Sequence, residues 1–554
     1  MAHRRRRLLV LGALLLPVVT ACAAPRIANY DISATIEPES RWLRAAVRTD
    51  WETDVAADRL RFSLRPSLKI TGLRGPEGAA LEYNRDADGT VTLPLPAAMA
   101  AGARFSLILE YEGEIHGPLG GRSGRRVWDH IGSDGTYVRF EAEWYPMIWG
   151  DRATADVRLT VPQGWSAVTS GKLVSQEGRT FHWRIGHPTS GISFAAAQYS
   201  VSERLVGDLP LQCYLFGAHA DRAEEFMSRC AEILAFYGEI YSPYPFEKFA
   251  IAEIPDLYGG GHGDQSFIML QELTFTQPFD AEFVAHEMAH NWWGGILTCT
   301  ESEFLIEAFP TYSQALWRER FQGRQAFTES MNRQAESVLM ASWNPAEETS
   351  CYESDSGPLL YEKGAWILHM LRQLLGDEKW FSTVKAFVAG NQGRDVTCAQ
   401  FQQACEQAYG DSLEWFFRQW LYGTGVPWVK ARITGYDGKA ATIALSQELV
   451  IGQERQGNDA QSVSWQTQPG GFFLPVEIAL QCEGQQVRRR LWLTRSSQEL
   501  RIDVPARPTA VVVDPDGWLL DHSKGLVGAL DKEMAGLEAE LERELGDLGA
   551  GVPR

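Results

Sequence analysis

The sequence has few cysteines and few basic residues for its length. Eight cysteines among 554 residues are too few for a disulfide scaffold. The chain has 52 Lys and Arg against 71 Asp and Glu, which gives a net charge of −19. Such an acidic chain repels phosphate backbones, so we expect no nucleic-acid partner. The one dense basic run, residues 4–7, lies at the extreme N-terminus, and no repeat of fixed period is present.

Long apolar runs are also absent, apart from residues 8–19, which follow the basic residues. This stretch of 12 residues is shorter than the roughly 20 needed to span a membrane, and it is typical of a signal peptide. It ends in Val-Thr-Ala before Cys22, which resembles the bacterial lipobox. We therefore predict that residues 1–21 are a lipoprotein signal peptide and that Cys22 carries lipid.

The predicted location is outside the cytoplasm, with the chain held to a bacterial membrane through the lipid on Cys22. A plain secretory signal with an incidental cysteine is the alternative, and the four arginines leave twin-arginine export open. Removal of residues 1–21 takes away these four arginines and no acid, so the net charge falls from −19 to −23. Seven cysteines then remain besides Cys22, an odd number, so at least one is free, paired between chains or otherwise used.

Apolar residues make up 45% of the chain and charged residues 22%, as in globular proteins, and the length suggests three or four domains. Apolar and polar residues alternate in segments such as 104–111 and 156–161, which predicts a β domain over residues 22–205. Residues 220–241 show helical spacing of apolar side chains, and helical patterns continue to about residue 422.

Helix-breaking residues at 423–427 mark a predicted boundary, because alternation returns beyond them in segments such as 476–482. We therefore predict a β domain over residues 427–523. In the acidic tail, residues 524–554, six leucines and Met534 recur at steps of three and four and predict an amphipathic helix over 526–548. Packing on its own protein is the preferred interpretation of this helix, and binding to a partner helix is the alternative. Its acidity argues against an anionic membrane surface.

Residues 286–290 have the sequence His-Glu-Met-Ala-His, the motif H-E-x-x-H. On a helix, His286 and His290 lie on one face, so both imidazoles can reach one Zn²⁺ ion. Glu287 lies beside them, placed to take a proton from water. Two histidines on a solvated helix are the alternative, but the neighbours predict a buried helix, in which such groups need a partner. The apolar neighbours are Phe283, Val284, Trp292 and Trp293.

We predict that Asp280 caps this helix and that Gly294 and Gly295 end it. A catalytic zinc takes three protein ligands and leaves one position open. Downstream, Glu307 lies among apolar residues, where an unpaired carboxylate is unfavourable. Glu307 is therefore the candidate third ligand, and we expect one zinc ion per chain.

Several segments together resemble the aminopeptidase N type of gluzincin zinc peptidases. The matching segments are YPFEK at 244–248, IPD at 254–256, HEMAHNWWG at 286–294, YEKGA at 361–365, WFF at 415–417, GVP at 425–427 and VDP at 513–515. The resemblance covers most of residues 27–520 and implies a multidomain α+β protein. It implies a saddle-shaped N-terminal β domain, a thermolysin-like, mainly helical catalytic domain over 206–426, and a β-sandwich third domain. The large helical fourth domain of many relatives is expected to be absent.

The resemblance also implies roles for individual residues. It makes His286, His290 and Glu307 the zinc ligands, Glu287 the general base and Tyr361 the hydroxyl that stabilises the oxyanion. From the sequence pattern alone, Tyr361 would be a core tyrosine. The 16 residues between His290 and Glu307 are two fewer than in the family, which a loop deletion can accommodate.

The family's Gly-Ala-Met-Glu-Asn loop, whose glutamate holds the free amine of the substrate, is altered here. An ungapped match places five residues at the loop, which are Gly260, Gly261, His262, Gly263 and Asp264. Gly263 then occupies the position of the glutamate. A shift of one residue would give that role to Asp264. Glu141 is a candidate for a second amine-binding acid.

The expected function is zinc-dependent hydrolysis of peptide bonds. The altered loop leaves two alternatives open, an endopeptidase or an exopeptidase for an unusual N-terminus that His262 or Asp264 helps to recognise. A further alternative from another class is a non-catalytic binding or scaffolding lipoprotein that docks through its acidic C-terminal helix. The complete set of candidate zinc ligands, base and tyrosine argues against it.

Overall fold

A computed structural model of the chain describes residues 25–120, 126–256, 260–342, 349–452, 465–469 and 471–524. The predicted signal peptide, the lipidation site Cys22 and the predicted helix over 526–548 lie outside these ranges. Within them, no helix is both long and apolar enough to cross a membrane. The described chain is a β-rich N-terminal region followed by a helical region and two further sheets.

Strands β1–β16 form most of the N-terminal region. They are Arg26–Glu37, Trp42–Glu52, Ala57–Ser63, Leu68–Arg74, Asn84–Arg85, Thr90–Met99, Arg104–Glu114, His116–Gly120, Arg126–Gly132, Gly135–Val138, Ala153–Thr160, Ser166–Thr169, Lys172–Glu177, Thr180–Thr189, Phe194–Ala197 and Tyr199–Val206. The largest sheet has the order β13-β14-β11-β1-β2-β7-β4. The alternation predicted in β7 is confirmed, because Leu107, Leu109 and Tyr111 are buried while the residues between them are partly exposed. Their burial directs one face of this sheet into the N-terminal core.

The helical region contains four more strands and all nine described α-helices. Strands β17–β20 are Leu209–Phe216, Phe249–Ile254, Gly261–Asp264 and Phe267–Gln271. Helices α1–α9 are Ala223–Ile240, Leu273–Thr276, Ala281–Ala289, Phe304–Gln322, Arg324–Ala341, Tyr361–Leu375, Asp377–Gly390, Cys398–Tyr409 and Glu414–Trp420. The helix predicted over residues 220–241 is confirmed as α1, which begins at Ala223 after a 3₁₀ turn.

The last described strands, β21–β27, form two sheets. They are Pro427–Tyr436, Ala440–Gly452, Trp465–Pro469, Leu474–Cys482, Gln485–Leu493, Ser497–Asp503 and Pro508–Val513. Strand β22 pairs with β21, β23 and β26, and β24 pairs with β25 and β27. The apolar side chains of these sheets belong to the same continuous core as the helices. Breaker residues 423–426 lie between α9 and β21, and Pro427 begins β21.

A five-stranded sheet of order β16-β17-β18-β20-β19 lies between the two cores. Because side chains alternate along a strand, its faces bury different residues. In β18, Ile251 packs into the core of the helical region, whereas Ala250 and Ala252 pack into the N-terminal core. The boundary predicted between residues 205 and 206 falls inside the hairpin of β16 and β17, so this sheet begins before it.

Candidate active site

Helix α3 carries the H-E-x-x-H motif and begins as the sequence predicts. The carboxylate of Asp280 accepts a hydrogen bond from the backbone N–H of Phe283 at 3.1 Å, which is an N-cap. The helix ends at Ala289, earlier than the predicted end at Gly294 and Gly295, because the chain then turns. Gly294 has φ of +120°, a conformation that favours glycine, and its N–H bonds to the Leu297 carbonyl at 2.8 Å.

The two histidines of this motif converge on a carboxylate of the next helix. The Nε2 atoms of His286 and His290 lie 3.5 and 3.6 Å from the same oxygen, Oε2 of Glu307. Glu307 lies in the first turn of α4, which packs against α3. All three ligand atoms lie within 4.8 Å of one another, and the three side chains are mostly buried.

The separations of these atoms fit a zinc ion. Donor atoms at about 2.0–2.1 Å from a tetrahedral zinc are about 3.4 Å apart, close to the two N–O distances found here. Oε2 of Glu307 and Nδ1 of His286 are buried without a hydrogen-bond partner among the described residues. A zinc ion held by this set would satisfy the buried oxygen of Glu307. Two imidazoles and one carboxylate are also the donor set of many catalytic zinc sites.

A residue that is not a candidate zinc ligand orients the imidazole ring of His290. Its Nδ1 lies 3.2 Å from the backbone carbonyl oxygen of Trp293, which can accept a hydrogen bond from that nitrogen. A proton on Nδ1 leaves Nε2 free to bind a metal, which is the usual arrangement of metal-binding histidines. The turn after α3 therefore sets the ring orientation of the second histidine.

Neighbouring charges keep Glu307 ionised despite its burial. Burial raises the pKa of a carboxyl, but His290 and His286 outweigh it and lower the pKa of Glu307 to about 2. Burial lowers the pKa of His290 to about 4, so this imidazole is neutral near pH 7. A neutral imidazole and an ionised carboxylate are the forms that bind metal.

Glu287 points into the same site from the neighbouring position on α3. Burial raises the pKa of its carboxyl to about 7, although the nearby His286 opposes the shift. The Gly263 backbone also opposes this rise in the pKa of Glu287. A carboxyl with a pKa near neutrality can both accept and return a proton, which is the property of a general acid–base group.

Tyr361 begins helix α6 beside the ligand set. Its ring stacks on that of His286 at a centroid distance of 6.0 Å, and its hydroxyl hydrogen-bonds with Glu307. A cleft of about 190 Å³ opens next to these two rings. The structure thus brings Tyr361 to the edge of the cleft, where a hydroxyl can reach a bound ligand.

Sequence reasoning missed several residues of this site. Thr311 and Gln314 line the cleft because they follow Glu307 by four and seven positions on α4, a helical spacing that could have identified them. Asn291 accepts hydrogen bonds from the Ser266 N–H at 2.8 Å and the Tyr244 hydroxyl at 3.2 Å. Asn291 therefore ties the turn between β19 and β20 to the end of α3.

Strand β19 packs directly on α3 through its glycines. A β-carbon added to Gly261 would lie 2.7 Å from the carboxyl carbon of Glu287. One added to Gly263 would lie 2.3 Å from the Glu287 carbonyl oxygen. Real β-carbons do not approach other atoms so closely, so the strand can reach the helix only because both positions lack a side chain.

The alternate positions of β19 face the N-terminal region. His262 lies 3.4 Å from the Ser193 hydroxyl and packs on the ring of Phe140. Asp264 is buried, with one carboxylate oxygen 3.8 Å from Nε2 of His262. Glu141, immediately after Phe140, acts electrostatically on His262. The structure thus brings His262, Asp264 and Glu141 together.

Gly260 directly precedes β19. Its backbone carbonyl oxygen accepts a hydrogen bond from the Gln271 N–H.

The sequence of the helical region matches the model of one known protein family. Residues 226–420 match the family model described as the peptidase family M1 domain. The matched residues include both histidines of the motif, Glu307 and Tyr361. This segment is therefore similar to the peptidase family M1 domain.

Curated relatives of this chain are distant in sequence. Aminopeptidase N of Lactococcus lactis is 24% identical over 336 residues, which cover 55% of this chain and 38% of the relative. A puromycin-sensitive aminopeptidase of Caenorhabditis elegans is 20% identical over 498 residues, covering 81% of this chain and 51% of the relative. This chain therefore spans about half or less of the length of these relatives.

Solved structures share the fold of this chain. An M1 zinc metallopeptidase from Deinococcus radiodurans superposes with a TM-score of 0.62 at 19% identity, covering 73% of this chain and 95% of that one. Aminopeptidase A of Legionella pneumophila, in complex with aspartic acid, gives a TM-score of 0.70 at 14% identity. That match covers 90% of this chain and 59% of the other. The chain therefore shares with these structures its fold, in which a β-rich region precedes a helical region.

Proposed function

We propose that this protein is a zinc-dependent peptidase whose M1 domain hydrolyses peptide bonds. The observation that carries the proposal is the meeting of His286 and His290 at one buried oxygen of Glu307. Glu287, which we assign as the general base, lies beside this set with its pKa near neutrality. A buried carboxyl with a strongly shifted pKa beside a set of metal-binding side chains is typical of functional sites.

Each chemical role in peptide-bond hydrolysis is assigned to particular residues of the chain. His286, His290 and Glu307 would hold the zinc ion, which when bound would supply a Lewis acid for the peptide carbonyl and lower the pKa of water. Glu287 takes a proton from the attacking water and returns it to the leaving amine. Tyr361 donates a hydrogen bond to the oxygen that becomes negative as the tetrahedral intermediate forms.

Zinc analysis combined with a peptide-library digest tests the proposal. The purified full chain should bind one zinc ion per molecule and cleave peptides, and a chelator should abolish cleavage until zinc is restored. Mass spectrometry of the products gives the cleaved positions and the side-chain preference. A chain that retains no zinc and cleaves no peptide in the library would instead support the binding or scaffolding role.

A second candidate, favoured by the loop at β19, is an endopeptidase or an exopeptidase with an unusual amine site. Position 263, where the resemblance places the amine-binding glutamate, has no side chain and no room for one. Two buried carboxylate oxygens nearby, one on Glu141 and one on Asp264, lack hydrogen-bond partners among the described residues. An exopeptidase would use these two acids to hold the free amine, whereas an endopeptidase would leave them without that role.

Matched peptides with free and acetylated N-termini separate these activities. An exopeptidase that holds the amine through Glu141 and Asp264 should reject acetylated peptides, and Glu141→Gln should raise KM for free peptides more than it lowers kcat. An endopeptidase should cleave both sets at internal bonds, with little effect of Glu141→Gln.

We further propose that the protein acts outside the cytoplasm, held to a bacterial membrane by lipid on Cys22. The support is the N-terminal sequence, in which a basic segment and a short apolar run precede a cysteine. Membrane fractionation of wild type and Cys22→Ser tests this, because the variant should leave the membrane fraction. The acidic segment 526–548 is proposed to pack on its own protein, with a partner helix as the alternative.

A further inference from the structure

A second cluster of metal-ligating and nucleophilic side chains lies away from the zinc ligands. The sulfur atoms of Cys299 and Cys398 and a carboxylate oxygen of Glu301 all lie within 4.8 Å of one another. Both thiols are buried. These cysteines are 99 positions apart in the chain, so the tertiary fold alone brings them together.

Hydrogen bonds join the chain segment around Cys299 to the segment around Cys398. The Thr298 N–H donates to the carbonyl of Arg394 at 3.0 Å, and the Val396 N–H donates to the carbonyl of Thr298 at 2.7 Å. The Cys398 N–H donates to the carboxylate of Glu301 at 2.7 Å. Because these bonds restrain both segments, the two sulfur atoms stay close without any rearrangement of the fold.

We propose that Cys299 and Cys398 form a disulfide that braces the connection between the two ligand-bearing helices α3 and α4. Residues 290–303 join these helices, and Cys299 lies within this connection. A disulfide to Cys398, the first residue of α8, would tie the path from His290 to Glu307 to a separate helix. The proposal goes beyond hydrolysis and does not depend on it.

A disulfide fits this cluster better than a second metal ion does. The cluster offers three donors, whereas closed structural zinc sites have four. Glu301 is exposed, and its carboxylate already accepts the Cys398 N–H. The thiol of the neighbouring Cys351 points to the Leu360 carbonyl, at 3.8 Å, instead of joining the pair.

The oxidation needs an external disulfide as the oxidant. One cysteine thiolate attacks the oxidant's disulfide, forming a mixed disulfide and releasing one thiol. The second cysteine then attacks the mixed disulfide, which forms the Cys299–Cys398 bond and releases the second thiol. Two electrons and both thiol protons pass to the oxidant. Because the pair is buried, the exchange takes place as the chain folds, before the thiols are enclosed.

Peptide mapping under non-reducing conditions tests the proposal. The full chain is produced in a bacterial host with an oxidising cytoplasm, denatured in the presence of N-ethylmaleimide and digested. We expect a linked peptide pair containing Cys299 and Cys398, which a phosphine reductant given before alkylation separates. Cys405→Ser, on the same helix α8, should keep the link, and Cys299→Ser should lose it and leave Cys398 alkylated.

Three results would overturn the proposal. The first is alkylation of both thiols in the wild-type protein from this host. The second is linkage of either residue to Cys351. The third is unlinked thiols together with a second zinc ion per chain that Cys299→Ser removes. The wild-type map decides between the outcomes even where a variant fails to fold. As a further readout, oxidised wild type should melt at a higher temperature than its reduced form, with no such difference in Cys398→Ser.

Discussion

Gly263 and His290 approach so closely that a β-carbon on the glycine would lie 2.6 Å from the β-carbon of the histidine. This contact joins the edge strand β19 to the end of the helix that bears the candidate zinc ligands. The absence of a side chain at position 263 therefore has a second consequence besides the loss of the amine-binding glutamate. It allows the strand to lie against α3, beside the carbonyl oxygen of Glu287.

We predict that Gly263→Ala lowers both zinc affinity and peptidase activity. The methyl group must displace α3 or β19, and overpacking of this kind destabilises by about 1–3 kcal/mol. The measurements are zinc content after dialysis, kcat/KM and melting temperature. Gly186→Ala is the matched control, because its added β-carbon meets nothing within 4 Å. Equal behaviour of the two variants would show that the contact does not constrain the site.

Glu287→Gln should retain zinc and lose turnover. The amide keeps the shape of the side chain but cannot accept the proton of water, so kcat should fall by about 10²–10⁴-fold. The measurements are kcat on a peptide substrate and zinc stoichiometry. Glu336→Gln, on the exposed face of α5, provides a control with the same loss of charge. Undiminished hydrolysis by Glu287→Gln would contradict the assignment of Glu287 as the general base.

Tyr361→Phe should lower kcat with little change in KM. The hydroxyl is expected to act on the oxyanion, and loss of one such donor lowers kcat by about 10²–10³-fold. The ring remains to stack on His286, so zinc content and melting temperature should stay close to those of wild type. Tyr83→Phe, at an exposed position, is the control. A variant in which KM rises and kcat is unchanged would place Tyr361 in substrate binding instead.

Lys248 makes the free energy of unfolding of the protein depend on pH. Burial lowers the pKa of its ammonium to about 7, and Nζ donates to the backbone carbonyl of Ser266 at 2.9 Å. Between pH 7 and the ordinary pKa of 10.5, the unfolded chain holds a proton on Lys248 that the folded chain lacks. Raising the pH through this window therefore favours the folded state.

We predict that the stability of wild type relative to Lys248→Met increases as the pH rises from 7 towards 10. The relative gain should be about 1.4 kcal/mol per pH unit within the window. Melting temperatures of both proteins across this range measure it. Lys69→Met, at an exposed position of β4, should show no such trend relative to wild type. A constant difference between wild type and Lys248→Met would mean that the lysine stays charged when buried.

Local patterns account for what the sequence predicted correctly. The alternation in β7 and the cap at Asp280 depend on near neighbours in the chain, and both are found in the structure. The spacing of His286 and His290 depends on helical geometry alone, which places positions i and i+4 on one face. Sequence reasoning placed the end of α3 too late, because the turn after His290 depends on bonds to residues beyond the helix.

What the sequence determined by itself was the kind of chemistry available, namely a pair of imidazoles with a carboxylate beside them on one helix. Only the tertiary structure decided which atoms meet. It brings Glu307 within 3.6 Å of both histidines, seats Gly263 against His290, and places Cys299 beside Cys398. These contacts join residues on separate helices, strands and connections, and their distances follow from the packing of α3 against α4 and β19. Helical or strand periodicity reports which face of an element is buried, but it carries no information on what that face will touch.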